Sequence, residues 1–366
     1  MVNFDLISSN EQDAWKNAVE RCGRHDSYHT LGYHQVARQQ GEGEPFLFAF
    51  EHNGRHAALP FLLRPVTSVD GLEKSEFFDA VSAYGYPGLL SSVDKTDPNA
   101  DDFRVRFQDA LRSVLQSRNV VTLFVRQNPL IDSSWMLESV AKVNDCGQTV
   151  AIDLTLPEDE LFANFGKGHR RDIRKARRQG LAVFEDSSLE RIEDFIRIYT
   201  ETMDDVGAAG YYYFSKEYFV SLKEQLGSAV KLFLAELDGE IVSGAMFMAT
   251  DRIVQYHLSG KASKFRRLPG TTQVLLDEAR IWGAKNGFSW LHLGGGVGAR
   301  ADSLFEFKSR FSDARFRFHT ARAVLSTTVY EELTHRRREW TDQNGLEAAD
   351  VNYFPAYRSP LTRRAA

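Results

Sequence analysis

Residues 293–311, LGGGVGARADSLFEFKSRF, combine consecutive glycines, an acid and one lysine set among phenylalanines. Gly294, Gly295 and Gly296 end an apolar strand, where the lack of side chains lets backbone amides approach a ligand. Lys308 stands among Phe305, Phe307 and Phe311. A lysine in that setting either faces a phosphate or a developing oxyanion, or it is a surface lysine whose stem lies along apolar neighbours. Asp302 has two readings as well, a polar group of the same site or the cap of a helix that starts at Ser303. No Gly-Lys-Ser or Gly-Lys-Thr follows the glycines, which excludes a phosphate-binding P-loop, and the dinucleotide fingerprint is incomplete. Neither Cys22 nor Cys146 has the setting of a nucleophile, no serine elbow is present, and the histidines and cysteines show no metal-ligand spacing.

The strongest electrostatic feature lies upstream, in GKGHRRDIRKARRQG. Lys167, Arg170, Arg171, Arg174, Lys175, Arg177 and Arg178 are seven cations within twelve residues. Helical spacing puts Arg170, Arg174 and Arg177 on one face, with Arg171, Lys175 and Arg178 in an adjacent row. Such a surface either meets phosphates, for which the guanidinium fork is suited, or is salt-bridged to acids elsewhere in the fold. Arg266, Arg267, Gly270 and Thr271 form a second candidate phosphate site, where a loop enters a helix. Two aromatic motifs complete the candidates. Tyr84-Gly85-Tyr86-Pro87-Gly88 pairs phenols with a tight turn, and Tyr211-Tyr212-Tyr213-Phe214 precedes a helix from Lys216.

The elements that must position these residues form an α/β chain of mixed sheets in which one order of elements occurs twice. Strands over 46–50 and 57–63 flank an Asn53-Gly54 turn; a strand over 77–84, a helix over 102–116 and an apolar strand over 120–125 follow. Downstream, strands over 231–237 and 241–249 flank Asp238-Gly239, followed by a strand over 252–258, a helix over 271–285 and a strand over 289–293. Between the copies, 146–156 reads as a strand and 158–179 as one long helix with an acidic first turn and a basic second half. The expected domains are 1–156, 157–345 with the basic helix at its start, and a C-terminal tail, 346–366.

Composition sets the outer bounds. The 366 residues are 43% apolar with a net charge of -5, so any polyanion must be met by a local patch rather than by the global field. Mean hydropathy is -0.37. No apolar run reaches the length of a membrane span and the first residues lack the features of a secretion signal, so the expected location is the cytoplasm.

The duplicated unit, HRRDIRKARRQGLAV, YGYPG, and LHLGGG followed by DSLFEFKSRF resemble the FemAB-type branch of the GNAT acyltransferase superfamily over most of residues 25–330. The resemblance implies two GNAT-like domains with a substrate groove between or along them. It implies an enzyme that transfers an aminoacyl or acyl group to an amine, as relatives do from aminoacyl-tRNA to the peptide amine of a peptidoglycan precursor. Phe307 and Lys308 correspond to the phenylalanine-lysine pair associated with the acyl donor, and Tyr84, with Tyr86 beside it, to the tyrosine-glycine element lining the acceptor groove. Residues 266–272 fall where ordinary GNAT enzymes hold the pyrophosphate of coenzyme A, without the glycine-rich pattern of that site. The expected partners are a small or peptide-like amine acceptor and aminoacyl-tRNA, with peripheral contact to a lipid-linked substrate and no resident cofactor. Acyl-CoA is the alternative donor, and a noncatalytic tRNA- or polyanion-binding module is the alternative function.

Overall fold

The computed structural model describes residues 2–363. The chain begins with β1 (Val2–Ser8), α1 (Gln12–Arg21), α2 (Leu31–Gln39), β2 (Glu44–His52), β3 (Arg55–Pro65), β4 (Phe78–Val81), the two-residue β5 (Leu90–Ser91), α3 (Ala100–Ser117) and β6 (Val120–Arg126). It continues through β7 (Lys142–Asp153), α4 (Glu158–Ala163), α5 (Lys167–Arg178), β8 (Ala182–Glu185), α6 (Ile192–Asp205) and α7 (Lys216–Leu226). Next come β9 (Val230–Leu237), β10 (Glu240–Thr250), β11 (Ile253–Lys261), α8 (Thr271–Lys285), β12 (Trp290–Gly294) and α9 (Ser303–Ser309). β13 (Arg315–Val324), α10 (Thr327–Gln343), β14 (Leu346–Ala348) and β15 (Leu361–Arg363) complete it.

Two compact units result, one from the residues up to Gly23, Tyr28–Asp145 and those from His319 on, the other from Arg24–Ser27 and Cys146–Phe318. In the first, the strand order is β1-β2-β3-β4-β6-β13, antiparallel at every junction except the parallel β4·β6 pair. In the second it is β8-β9-β10-β11-β12-β7, with β11·β12 the one parallel junction. The duplication is therefore one of topology, and it extends further than the sequence pattern: each unit leads with a strand and two helices, β1-α1-α2 and β8-α6-α7. The central hairpins explain why their part of the repeat is legible. Asn53 and Gly54 have φ of 52° and 71°, Asp238 and Gly239 51° and 81°, the positive values that a two-residue hairpin turn of type I′ requires.

Three expectations are corrected. β7, expected in the first domain, pairs from Val150 with β12, while the later half of β13, expected in the second domain, pairs with β6. Apolar β6 and β12 each need a strand on the outer side of the parallel pair, and each takes the one that follows the other copy in sequence. The segment 346–363 is no loose tail, since β14 and β15 pair and Tyr357 is fully buried. The helix expected over 158–179 is broken between α4 and α5, where Phe165 turns into the core against Phe311 at 5.0 Å and the Gly166 amide donates to the Arg310 carbonyl at 2.7 Å. Tertiary packing here overrides a helical pattern.

Candidate functional site

In the second unit, β11 and β12 are paired over only three positions, Ile253 with Trp290, Val254 with Leu291 and Gln255 with His292. Beyond them β11 runs on to Lys261 while β12 ends at Gly294, so the ladder opens into a wedge. The register of β12 against β7 is irregular between His292 and Gly294, a bulge at the wedge itself. Gly294 has φ 73°, which favours glycine. Gly295 and Gly296 are needed for a different reason than the sequence suggested: a Cβ on Gly295 would lie 2.9 Å from the Gln148 carbonyl, and one on Gly296 2.2 Å from the Arg300 carbonyl. The glycines fold the loop tightly onto its own chain.

Lys308, on α9, points into this wedge. The residue is 7% exposed, its Nζ donates to the Gly295 carbonyl at 2.7 Å, and it lies 5.8 Å from the centre of the Tyr256 ring. Burial pushes its ammonium down to about 8, with the charge of Asp302 opposing the fall. The alternative of a surface lysine is excluded. Asp302 caps α9, its Oδ1 accepting from the Phe305 amide and its Oδ2 from the Val297 amide, both at 2.9 Å. These backbone bonds hold its carboxyl below the usual range. The Phe307 carbonyl accepts from His169 Nε2 at 3.0 Å, which ties α9 to α5.

Behind the wedge lies a buried polar chain that sequence reasoning missed. Gln255 Nε2 donates to Asp26 Oδ2 at 2.6 Å, and Gln255 Oε1 accepts from His292 Nδ1 at 2.7 Å. His292 Nε2 then accepts from the Thr149 hydroxyl at 2.9 Å. The ring is neutral: burial, then the charge of Lys308, pushes it down to about 3. The available signal was a glutamine and a histidine inside apolar strands, IVQYHL and WLHLG. On β11, His257 is also held down to about 3 by burial and shares a hydrogen bond of 2.7 Å between its Nε2 and the Tyr218 hydroxyl, with Phe214 stacked on Tyr218 at 4.1 Å.

The predicted basic residues divide. Arg177 reaches Asp277 at 2.9 Å and Glu278 at 3.5 Å on α8, Arg171 pairs with neighbouring Asp172, and Arg174 lies over the Phe162 ring. Arg170, Lys175 and Arg178 make no ion pair among the described residues. The face proposed for Arg170, Arg174 and Arg177 is thus reduced by one member, which fastens α5 to α8. Arg266 pairs with Asp205, while Arg267 is exposed. Gly270 and Thr271 are buried, and a Cβ on Gly270 would stand 2.5 Å from the Asp172 carbonyl and 2.9 Å from Ala176. The glycine at the start of α8 serves close packing with α5.

Tyr84 and Tyr86 belong to the first unit, and both are half-buried. The Tyr84 carbonyl accepts from the Tyr33 hydroxyl at 3.0 Å, and Tyr86 meets the Tyr28 ring edge-on at 5.7 Å. Gly85, at φ 88°, lies against Tyr28 so closely that a Cβ would be 2.2 Å from the ring.

Residues 163–309 match the family described as Acetyltransferase (GNAT) domain. The wedge, Lys308 and α5 all fall within that match, so the second unit is a GNAT domain and the chain an acyltransferase. Among solved structures, FemX is similar with a TM-score of 0.66 at 12% identity, over 90% of this chain and 99% of that one. L-PGS from Bacillus licheniformis gives 0.54 at 15% identity, over 89% and 96%. The C-terminal domain of a putative lysylphosphatidylglycerol synthetase from Agrobacterium fabrum gives 0.52 at 14%, over 88% and 94%. These likenesses are of fold, and the fold is that of the FemAB-type relatives. No curated protein sequence matches the chain.

Proposed function

We propose that this acyltransferase forms an amide by moving an aminoacyl group from aminoacyl-tRNA to an amine, with a peptidoglycan precursor or another envelope component as acceptor. The observation that carries the reading is the buried Lys308 ammonium at the mouth of the β11/β12 wedge. The acceptor nitrogen, neutral when it reacts, forms the new C–N bond as the carbonyl π electrons move onto oxygen. Lys308 has three N–H donors and commits one to the Gly295 carbonyl, which leaves donors for that oxyanion. Collapse of the tetrahedral intermediate breaks the ester C–O bond, and the released hydroxyl takes up the proton lost by the amine. The cations of α5 that lack ion pairs, Arg170, Lys175 and Arg178, support a phosphate-rich donor. The packing of α5 on Gly270 speaks against coenzyme A pyrophosphate at the start of α8. The name of one neighbour, a putative lysylphosphatidylglycerol synthetase, favours a lipid-linked acceptor, and among the described residues no helix is long and apolar enough to cross a membrane.

The test is mass spectrometry of paired reactions in which the same acyl groups are offered on tRNA and on coenzyme A with a panel of amines. Amide product from the tRNA donors alone is the expected result. Product from acyl-CoA alone overturns the donor assignment. Donor binding without product from either would make the chain a polyanion-binding module.

A further inference from the structure

A second cluster of cations lies in the first unit, apart from every residue assigned above. Strand register sets Arg64 opposite Asp79, Asp79 opposite Thr122 and Phe124 opposite Arg322. Alternation along the strands then places Arg64, Asp79, Thr122, Phe124, Arg126 and Arg322 on one face of the sheet. The other face carries Ala80, Leu123, Val125 and Ala321 in the apolar core.

Charge on the polar face does not balance. Asp79, 1% exposed, accepts from the Thr122 hydroxyl at 2.7 Å and from Tyr357 on one oxygen, and from Arg358 on the other. Its charge is committed to Arg358. Arg64, Arg126 and Arg322 make no ion pair among the described residues. Arg126 donates only to the Ser82 carbonyl, at 3.2 Å, and Arg322 only to the Asn352 carbonyl, at 3.4 Å. The Nε atoms of Arg64 and Arg322 are buried without a hydrogen-bond partner, which is rare for a charged donor. Two of the forks are already oriented: Arg126 lies 4.9 Å and Arg322 5.8 Å from the centre of the Phe124 ring, and Arg322 lies 5.8 Å from that of Phe354. Stacking holds a guanidinium flat and leaves its in-plane N–H groups to meet a ligand edge-on. Arg358 and Arg126 repel Arg64, whose guanidinium is pushed down chiefly by burial. Three half-buried like charges on one face of the sheet, without an ion-pair partner among the described residues, suit an anion.

We propose that Arg64, Arg126 and Arg322 bind a phosphomonoester group, with Arg358, tied back by Asp79, at the rim. A phosphomonoester carries close to two negative charges at neutral pH and several acceptor oxygens, which matches three uncommitted forks better than a single carboxylate does. The group belongs either to a soluble phosphorylated molecule or to a lipid headgroup.

Calorimetric titration of the full chain with inorganic phosphate at low ionic strength tests the site. Arg64→Gln with Arg322→Gln should weaken binding roughly tenfold or more, while Arg112→Gln, exposed on α3 against the other face of the sheet, should leave it unchanged. Wild-type affinity in the folded double variant, or loss of binding in the Arg112→Gln variant, overturns the proposal. Should the double variant fail to fold, Arg126→Gln replaces it and is held to the same criterion. Sedimentation with phosphatidic acid vesicles against phosphatidylcholine vesicles then separates the sources. Vesicle binding that phosphate displaces and the arginine variant abolishes identifies a lipid; phosphate binding without vesicle binding identifies a soluble ligand. Binding of neither probe rejects the site. The readout is phosphate binding and is independent of whether acyl transfer is observed.

Discussion

Replacing Lys308 with methionine should separate stability from activity. The ammonium is held almost fully out of water at a pKa of about 8, which costs the native state roughly 3 kcal/mol at neutral pH. Its compensation is the bond to the Gly295 carbonyl, and a bond to a charged donor is worth about 1.5–3 kcal/mol. Methionine removes both and keeps much of the length, so the variant should be as stable as the parent or more so. The transfer step should slow by about 10²- to 10³-fold, the effect of losing one oxyanion donor. The assay is single-turnover amide formation at saturating donor, alongside urea unfolding. pH dependence adds a sign. Because the folded pKa lies below the unfolded one, the unfolded chain binds more protons between them, and wild-type stability should rise with pH from about 8 upward. If the working form is the ammonium, the wild-type rate falls over the same window and the methionine variant shows no such fall. A folded methionine variant with the parental rate refutes the role, and a wild-type rate that climbs through pH 8 assigns the neutral amine as a base instead.

Four further outcomes follow from the second unit and from the buried histidines of both units. His292→Leu leaves Gln255 and Thr149 without their ring partner in a buried setting and should lower unfolding free energy by about 2–4 kcal/mol in urea melts. His292 and His257, held down to about 3, and His34, held down to about 4, all bind fewer protons folded than unfolded. Stability should therefore fall as pH drops below about 6.5, by up to about 1.4 kcal/mol per pH unit for each, and His292→Leu should flatten that slope. Gly270→Ala adds a Cβ against the Asp172 carbonyl at a φ of 87° and should cost about 1–3 kcal/mol, seen as a lower Tm. Arg170→Gln, Arg174→Gln and Lys175→Gln together should weaken tRNA binding and reduce its salt slope by about 0.7 for each phosphate that is no longer neutralised; an unchanged isotherm would make α5 a structural face.

What the sequence revealed was local. The Asn53-Gly54 and Asp238-Gly239 turns announce their hairpins because the required φ values are properties of two adjacent residues. The break before α5 is set by Phe165 meeting Phe311, a partner far along the chain, so no window around 158–179 contains it. The exchange of β7 and β13 is invisible for the same reason: an apolar strand says that it needs a neighbour, not which one. Within the site, Lys308 was legible as a type and its burial was not. The polar chain through Asp26, Gln255, His292 and Thr149 draws on four separate segments.

The two units also show why chemistry is expected in only one of them. Both have a parallel pair at the same place in the sheet, and in the first the ladder does not open where β4 ends. The Ser82 amide donates to the Phe124 carbonyl at 2.9 Å, and the Ser82 hydroxyl oxygen accepts from the Arg126 amide at 2.9 Å. Gly88 then packs so tightly that a Cβ would lie 2.4 Å from Gln127 Oε1, which itself accepts from the Leu89 amide at 3.0 Å. That space is stitched shut by the residues around YGYPG. In the second unit the corresponding strands part after Gln255 and His292, a bulge turns the end of β12 aside, and a buried ammonium stands where the ladder stops. Duplication supplied two frames, and only the second combines an opened parallel pair with a buried lysine, the pairing on which the proposed role of Lys308 rests.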